Sequence, residues 1–199
     1  MRNLPSVALA LVMLAAACTP YAKIDSGQVH VGSLAMTTGQ PWARIQPAHL
    51  PTEGPTEVWT RDGLSLNQVL VYAGLADGRP LFAPKNGAAA DRPFVAFRQD
   101  MLEADVHELV VDSIGRYFQA GPILTTRVAP RRFAGADGFE AEFAFASKAT
   151  ELEYRAIAAG AVIGGHLHLL VYVAPRLHYF DAHVGAFRQL VDTASLAKT

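Results

Sequence analysis

A hairpin pattern between Leu152 and Pro175 constrains the fold of this chain more than any other stretch. Two runs rich in apolar residues flank Gly164-Gly165, a dipeptide that readily adopts the positive φ angles of two-residue hairpin turns. A turn at this dipeptide predicts that Ile163 faces His166 across the strand pair. Both faces of the pair are largely apolar, which is typical of strands that are covered on both sides. The pattern therefore predicts a central strand pair with a helix against its alanine-rich strand.

The length and charge of the chain limit the classes of protein to consider. The 199 residues allow one domain with a substantial core. The formal net charge of −1 at pH 7 provides no basic field. Nucleic acid and anionic membrane surfaces are therefore not expected as electrostatic partners.

The amino terminus has the pattern of a secretory signal. Arg2 precedes the unbroken apolar run Val7–Ala17, which is too short to span a bilayer, and Cys18 follows three alanines. We predict a signal peptide at residues 1–17. The sequence LAAAC resembles a bacterial lipobox, in which the cysteine becomes the acylated first residue of the mature protein. Its leucine lies one place further from the cysteine than in the usual pattern.

Cys18 is the only cysteine of the chain, and acylation would explain an unpaired thiol in an exported protein. Several acyl chains would anchor the protein to a membrane. Thr19, in place of Asp, resembles the signal for transfer to the outer membrane, which predicts an anchor on its periplasmic face. An ordinary signal peptide cut near Cys18 and an uncleaved amino-terminal anchor are the alternatives.

Downstream of Cys18 the sequence predicts a tether at residues 18–28 and a single globular domain at residues 29–199. The domain pattern is strands, helix, strands, helix, with hairpin turns between neighbouring strands. This order predicts an α+β fold with a mainly antiparallel sheet and a helix on each face. The predicted strands and helices are Val29–Met36, Trp42–Gln46, Glu57–Arg61, Leu64–Leu75, a helix at Asp100–Phe118, Ile123–Val128, Phe139–Phe145, the long hairpin, and a helix at Asp181–Ala197 capped by Asp181. Pro84–Pro93 is predicted to be an exposed loop.

A tryptophan follows a turn at Thr38–Ile45, a mid-chain amphipathic helix comes later, and strand pairs lead through VYVAPRLHYFD into a last helix. This pattern resembles the PsbP-like superfamily, which includes DcrB-like bacterial lipoproteins. The stretches WTRDGLSLNQVLVYAGLADGRPLF and LHYFDAHV resemble uncharacterised lipoproteins of proteobacteria. The resemblance implies an α/β/α sandwich and a role in binding or assembly. It implies no particular ligand.

Four histidines near the hairpin are the candidates for a metal site. His166 and His168 point the same way on one strand, and His178 and His183 follow in the loop and the last helix. A metal ion needs three or four converging ligands, and the spacing brings together only two. Imidazoles that face water or backbone carbonyls are the favoured interpretation, so we predict no cofactor.

No catalytic motif is apparent in the chain. Glu140 and Glu142 share one strand face, as paired carboxylates do in glycosidases, but the pattern favours a solvated surface. The serines lack a G-x-S-x-G elbow, and strand follows Gly164-Gly165 where a phosphate loop would need a helix. We therefore predict that the protein is not an enzyme.

Two polar-aromatic segments are candidate contact surfaces. One lies at a strand end, at Trp59, Arg61 and Asp62, and the other lies between the last strand and the last helix, at Arg176, His178 and Tyr179. The competing interpretation is structural, with a buried Trp59 and a loop anchored by inward-packing aromatic rings.

Taken together, the sequence predicts a lipid-anchored cell-envelope protein that binds a protein partner or helps to assemble or maintain the envelope. A periplasmic lipoprotein that binds a small ligand or metal through the loops around His166 to His183 is the first alternative. An enzyme of unrecognised type is the second.

Overall fold

The computed structural model describes residues 20–85 and 93–197. The predicted signal peptide and Cys18 lie outside these ranges, as does most of the predicted loop Pro84–Pro93. The strands in the described residues are β1 (Tyr21–Ile24), β2 (Gly27–Val31), β3 (Leu34–Thr38), β4 (Trp42–Ile45), β5 (Thr52–Glu53), β6 (Glu57–Thr60), β7 (Gln68–Leu75), β8 (Ala83–Pro84), β9 (Leu124–Phe133), β10 (Ala136–Ala146), β11 (Glu153–Ile163), β12 (His166–Pro175) and β13 (Ser195–Leu196). The α-helices are α1 (Glu103–Tyr117) and α2 (Tyr179–Thr193), and a 3₁₀ turn spans Pro47–His49.

An antiparallel sheet in the order β1-β4-β6-β7-β12-β11-β10-β9 organises the domain. A three-stranded sheet, β13-β3-β2, and the short pair β5-β8 flank it. The predicted α+β class with a mainly antiparallel sheet is confirmed. Among the described residues, no helix combines the length and apolar character that a membrane-spanning helix needs.

The predicted hairpin occupies the middle of the sheet. Ile163 pairs with His166, and the ladder continues without a shift to Tyr154 and Pro175. Gly164 and Gly165 form the turn with φ angles of 59° and 78°, which glycine adopts without strain. The turn chemistry and the apolar pattern therefore predicted the register residue by residue.

Two hydrophobic cores cover the two faces of the hairpin, as the sequence predicted. On one face, α1 packs over β10 with residues of β7, β11 and β12 in the same core. On the other face, α2 and the β2–β3 hairpin pack over β7, β11 and β12. The helices are thus on opposite sides of the sheet, in three layers. Small residues on β11, including Ala156, Ala158 and Ala159, leave room for larger side chains in both cores.

The first helix begins three residues later than predicted and ends one residue earlier, at Tyr117. The backbone N–H of Leu102 donates a hydrogen bond to Asp105 Oδ2 at 2.9 Å, which fixes the start of the helix. Val106, Val110 and Ile114 form its buried stripe. Arg116 pairs with Asp112 one turn earlier, at 3.0 Å.

The last helix differs from the prediction at both ends. It begins at Tyr179, so Asp181 lies in its first turn and pairs with Arg155 instead of capping the helix. It ends at Thr193, because Ser195 and the residue after it pair with β3 as a short strand. The competing strand hydrogen bonds end the helix before the predicted boundary.

The amino-terminal part of the domain is more structured than the sequence predicted. Tyr21–Ile24, within the predicted tether, pairs with β4 at the sheet edge, so the sheet begins before residue 29. The predicted strand Val29–Met36 is in fact a hairpin, since a turn at Gly32-Ser33 separates β2 from β3. The turn before β10 lies at Ala134-Gly135, where both residues have positive φ angles.

The long outer strand β9 carries features that limit edge-to-edge association. It is largely exposed, and it contains Pro130 and three arginines. A proline and charged side chains on an edge strand discourage pairing with other chains. We therefore interpret the composition of β9 as protection of the edge.

The close approach of the central strands can be tested at Gly160. A Cβ atom added there would lie 2.5 Å from the carbonyl oxygen of His168. Gly160→Ala should lower the free energy of unfolding by about 1–3 kcal/mol, because the overpacked strands must separate. Chemical denaturation measures the change.

The matched control is Gly185→Ala, in α2, where an added Cβ meets no atom within 4 Å. This variant should gain about 0.5–1 kcal/mol, because alanine favours a helix over the unfolded chain. Equal stability of Gly160→Ala and the native protein would contradict the packing described for the hairpin.

Candidate functional site

The turn between β12 and α2 is tightly held although its side chains are exposed. The hydroxyl of Tyr172 donates a hydrogen bond to the carbonyl of Tyr179 at 2.7 Å from beneath the turn. Burial raises the pKa of Tyr172, and the negative charges of Asp62 and Asp181 raise it further. His178 has a φ angle of 68°, a conformation that non-glycine residues seldom adopt. The hydroxyl remains protonated and anchors a turn whose backbone is strained.

Two exposed leucines lie beside this turn. Arg176 and Glu153 are joined by a backbone hydrogen bond of 2.8 Å and by an ion pair of the same length. Leu177 follows Arg176 in the turn, and Leu152 directly precedes Glu153 at the start of β11. Leu177 is 80% exposed and Leu152 is 44% exposed. We call these four residues the Leu177 patch.

The loop between β6 and β7 is attached to α2 through Asp62. One oxygen of this carboxylate accepts from Asn67 Nδ2 at 2.5 Å and lies 2.7 Å from His183 Nε2. Asn67 in turn accepts hydrogen bonds from the hydroxyl of Thr60 and the backbone N–H of Arg61. Asp62 and His183, which are 121 positions apart, thus link the loop to the helix.

Trp42 covers the Asp62–His183 pair. Its ring meets the imidazole of His183 edge-on, with centroids 6.2 Å apart. The guanidinium of Arg61 lies 6.0 Å from the same ring, in the range of a cation–π contact. The indole N–H donates to the hydroxyl of Thr38 at 3.0 Å. The sequence indicated Arg61 and Asp62 as contact candidates, but Trp42 only as a feature of the fold.

Trp59 does not contribute to a surface. Its side chain is fully buried, and its indole N–H donates to Glu57 at 2.6 Å. Its neighbours Arg61 and Asp62 lie in the loop that leaves the sheet. The segment therefore divides between the structural and the surface interpretations: the tryptophan packs into the core, and the two charged residues face outward.

The hairpin histidines lie far from the α2 turn. His166 and His168 are at the opposite end of β12, roughly 26–33 Å from Arg176 at the rise of an extended strand. His168 is 5% exposed, and its Nδ1 atom has no hydrogen-bond partner. Burial lowers the pKa of His168, and the charge of His166 lowers it further. His168 is therefore a neutral core residue near neutral pH and is not available at the surface.

His166 is exposed and contacts the carbonyl of Gly164 at 3.0 Å through its Nδ1 atom. His178 lies in the α2 turn and His183 lies with Asp62, so the four histidines do not converge. Within residues 20–85 and 93–197, no group of three or more His, Cys, Asp or Glu side chains is placed to hold a metal ion.

Comparisons with known proteins show the fold. Neither the known protein families nor the curated proteins give a match to this sequence. Among solved structures, the solution structure of cyanobacterial PsbP (CyanoP) from Synechocystis sp. PCC 6803 is similar, with a TM-score of 0.53. The alignment covers 99% of each chain at 11% sequence identity. The chain has a PsbP-like fold. At this identity the likeness concerns the fold alone.

An ion-pair cluster on the α2 face of the PsbP-like sheet was not predicted. Glu140 is only 4% exposed and contacts Arg127 and Arg131, and Arg131 also contacts Asp192 of α2. The predicted solvated surface at Glu140 is therefore wrong, because α2 and the arginines of β9 cover this face.

Glu142 forms the second half of the cluster. It lies 2.9 Å from Arg188 of α2 and 3.5 Å from Arg155 of β11. Arg155 also reaches Asp181 at 3.1 Å and lies 4.1 Å above the ring of Phe180. Glu142 is likewise shielded from solvent, so the prediction is wrong here too. The two carboxylates, each held by two guanidinium groups, fasten α2 to the sheet.

The cluster gives a direct test of how α2 is held. Glu140→Gln leaves two arginines without their carboxylate beneath the helix, and we expect a loss of about 2 kcal/mol in the free energy of unfolding. Asp137→Asn is the matched control, since its pair with Arg132 is exposed on both sides and should contribute less than about 1 kcal/mol. Denaturant titration compares the two, and equal effects would contradict a fastening role for Glu140.

Proposed function

We propose that this chain is a non-catalytic, lipid-anchored protein of the bacterial cell envelope that binds a protein partner through the Leu177 patch. In this proposal the acylated Cys18 holds the protein on the periplasmic face of the outer membrane. The lipobox-like sequence supports the anchor. The exposure of Leu177 at a rigid turn is the observation that supports the binding surface.

The composition of the patch suits a protein contact. Leu177 and Leu152 provide apolar area, and Arg176 and Glu153 join them through a rim ion pair. Protein interfaces combine an apolar centre with a polar rim, and arginine is enriched in them. His178 next to Leu177 adds a further exposed polar group.

The geometry of the turn favours recognition. The tyrosine hydroxyl below it and the ion pair beside it restrict the backbone before any partner arrives. A preorganised contact loses less conformational entropy on association, so more of the contact energy appears as affinity.

The polar groups nearby have a structural role. His183 is paired with Asp62 in an arrangement that resembles part of a catalytic triad. Its other ring nitrogen is buried and has no hydrogen-bond partner, so no nucleophile in the described residues is connected to it. The pair connects the β6–β7 loop to α2.

The anchor can be tested with Cys18→Ser. Loss of the acylated thiol should transfer the protein from the membrane to the soluble fraction after cell lysis and sedimentation. Incorporation of labelled palmitate should occur in the native chain and not in the variant. A Cys18→Ser protein that still sediments with membranes would overturn the lipid anchor.

The binding surface can be tested by crosslinking in cells followed by mass spectrometry. Leu177→Asp should reduce the recovery of a specific neighbouring protein at least tenfold, because a carboxylate at the centre of an apolar contact is costly to desolvate. Leu124→Asp is the control, since Leu124 is also an exposed leucine but lies on β9. Recovery of no specific neighbour, or equal losses for both variants, would contradict the proposal.

A further inference from the structure

A groove with a volume of about 470 Å³ lies at the end of α1. Its walls come from five parts of the chain: the β5 segment, the β6–β7 loop with the start of β7, Phe94, the end of α1, and the β10–β11 loop with the start of β11. The lining residues that bear on its chemistry are Ser65, Gln68, Arg116, Tyr117, Phe118 and Tyr154. This volume is in the range of small-molecule sites.

Aromatic rings form the base of the groove, and the core behind them holds them in place. The ring of Tyr117 stacks on buried Phe82 with centroids 4.2 Å apart and an angle of 6° between the planes. Phe118 meets Tyr117 edge-on at 4.9 Å and contacts Tyr154 at 5.7 Å. A flat ligand would therefore meet ring faces and edges that are already ordered.

Two polar groups of the lining are engaged with the protein, whereas Oε1 of Gln68 is buried without a hydrogen-bond partner in the described residues. Gln68 donates through Nε2 to the carbonyl of Leu64 at 2.8 Å. The hydroxyl of Ser147 donates to the carbonyl of Phe118, also at 2.8 Å. Burial raises the pKa of Tyr117 by more than the hydrogen bond with the Gln68 amide lowers it. The phenol is therefore neutral at physiological pH. The site is thus a mainly apolar surface with few polar groups that can fix the orientation of a ligand.

Arg116 is the charged residue of the lining, and the lining contains no carboxylate. Its Nη1 donates to the carbonyl of Pro93 at 2.9 Å, and its Nε pairs with Asp112 outside the groove. These contacts hold the guanidinium at the groove. Its charge favours an anionic group on a ligand and disfavours a cation.

We propose that this groove binds a small aromatic carboxylate. The ligand ring lies against Tyr117 and Phe118, and its carboxylate lies toward Arg116. Aromatic stacking and apolar burial supply most of the affinity, while the single guanidinium selects the charge. Arg116, Tyr117 and Phe118 do not belong to the Leu177 patch, so the Arg116→Gln and Leu177→Asp variants test the two proposals separately.

Titration of the full mature protein with 2-naphthoate tests the proposal. Backbone NMR shifts should saturate at residues of the groove, with calorimetry giving the dissociation constant. Uncharged 2-naphthol and cationic 2-naphthylmethylamine are the charge controls. We expect 2-naphthoate to bind at least several-fold more tightly than either. Failure of 2-naphthoate to saturate, equal affinity for the three ligands, or shifts that map outside the groove would overturn the proposal.

Two variants locate the site. Arg116→Gln should weaken 2-naphthoate on the order of tenfold and leave 2-naphthol nearly unchanged, since it removes a charge-assisted contact. Arg98→Gln is the matched control, because Arg98 is exposed and pairs with Asp100 outside the lining. Ser65→Trp places a bulky side chain at an exposed position of the groove and should abolish binding of both ligands.

Two results with the variants would each refute the site. If Arg116→Gln and Arg98→Gln weaken the binding of 2-naphthoate equally, the effect comes from the net charge of the protein and not from a contact in the groove. If Ser65→Trp keeps its native fold and binds as tightly as the native protein, the ligand lies elsewhere. Binding only of a tryptophan-containing peptide, and not of free 2-naphthoate, would make the groove a docking point for a partner side chain and would also overturn the proposal.

Discussion

Burial of the β11–β12 pair on both faces is the constraint on which the rest of the structure depends. Each face of these strands must be covered, so the chain needs a helix on each side of the sheet. The alanines and Gly160 on β11 allow this, because small residues let neighbouring strands and large core side chains approach closely. The strand pair has no free face for a ligand, and exposed chemistry is confined to the loops and edges.

The attachment of α2 to the sheet is the second feature on which the structure depends. The helix buries an apolar stripe, but it also lies over the otherwise charged face of β10. Glu140 and Glu142 would be costly there as isolated charges, and arginines from three neighbouring elements neutralise them. Such paired charges fix the position of a helix more narrowly than apolar contact does, since each ion pair fits one geometry. The same helix carries His183 and begins at the Leu177 patch.

The parts of the fold that local sequence determines could be predicted, and the parts that depend on distant contacts could not. A glycine turn between two apolar runs specifies its own register, and the hairpin agreed residue by residue. The alternation in β10 showed correctly that Glu140 and Glu142 share a face, but alternation carries no information on what covers that face. Charged residues usually face solvent, but Glu140 and Glu142 belong to a cluster of ion pairs with arginines. The arginines of β9 were the sequence feature that indicated this cluster, because the turn between β9 and β10 places them beside the two glutamates.

The candidate sites divide in the same way. Arg176 and His178 could be recognised as candidate contact residues because they lie two positions apart between a strand and a helix. The Asp62–His183 pair joins residues more than a hundred positions apart, so no local sequence pattern could predict it. The end of α2 depended on pairing with β3, which a helical periodicity cannot reveal. The aromatic groove draws on five separated segments, so only the folded chain assembles it.

Native-state hydrogen exchange of the backbone amides tests the central claim most directly. If the doubly covered strand pair holds the domain together, amides of β11 and β12 should exchange most slowly and only through global unfolding, while those of β1 and β9 exchange through local opening. Their apparent free energies of opening should equal the free energy of unfolding from denaturation. Exchange in β12 as fast as in β9 would contradict the account.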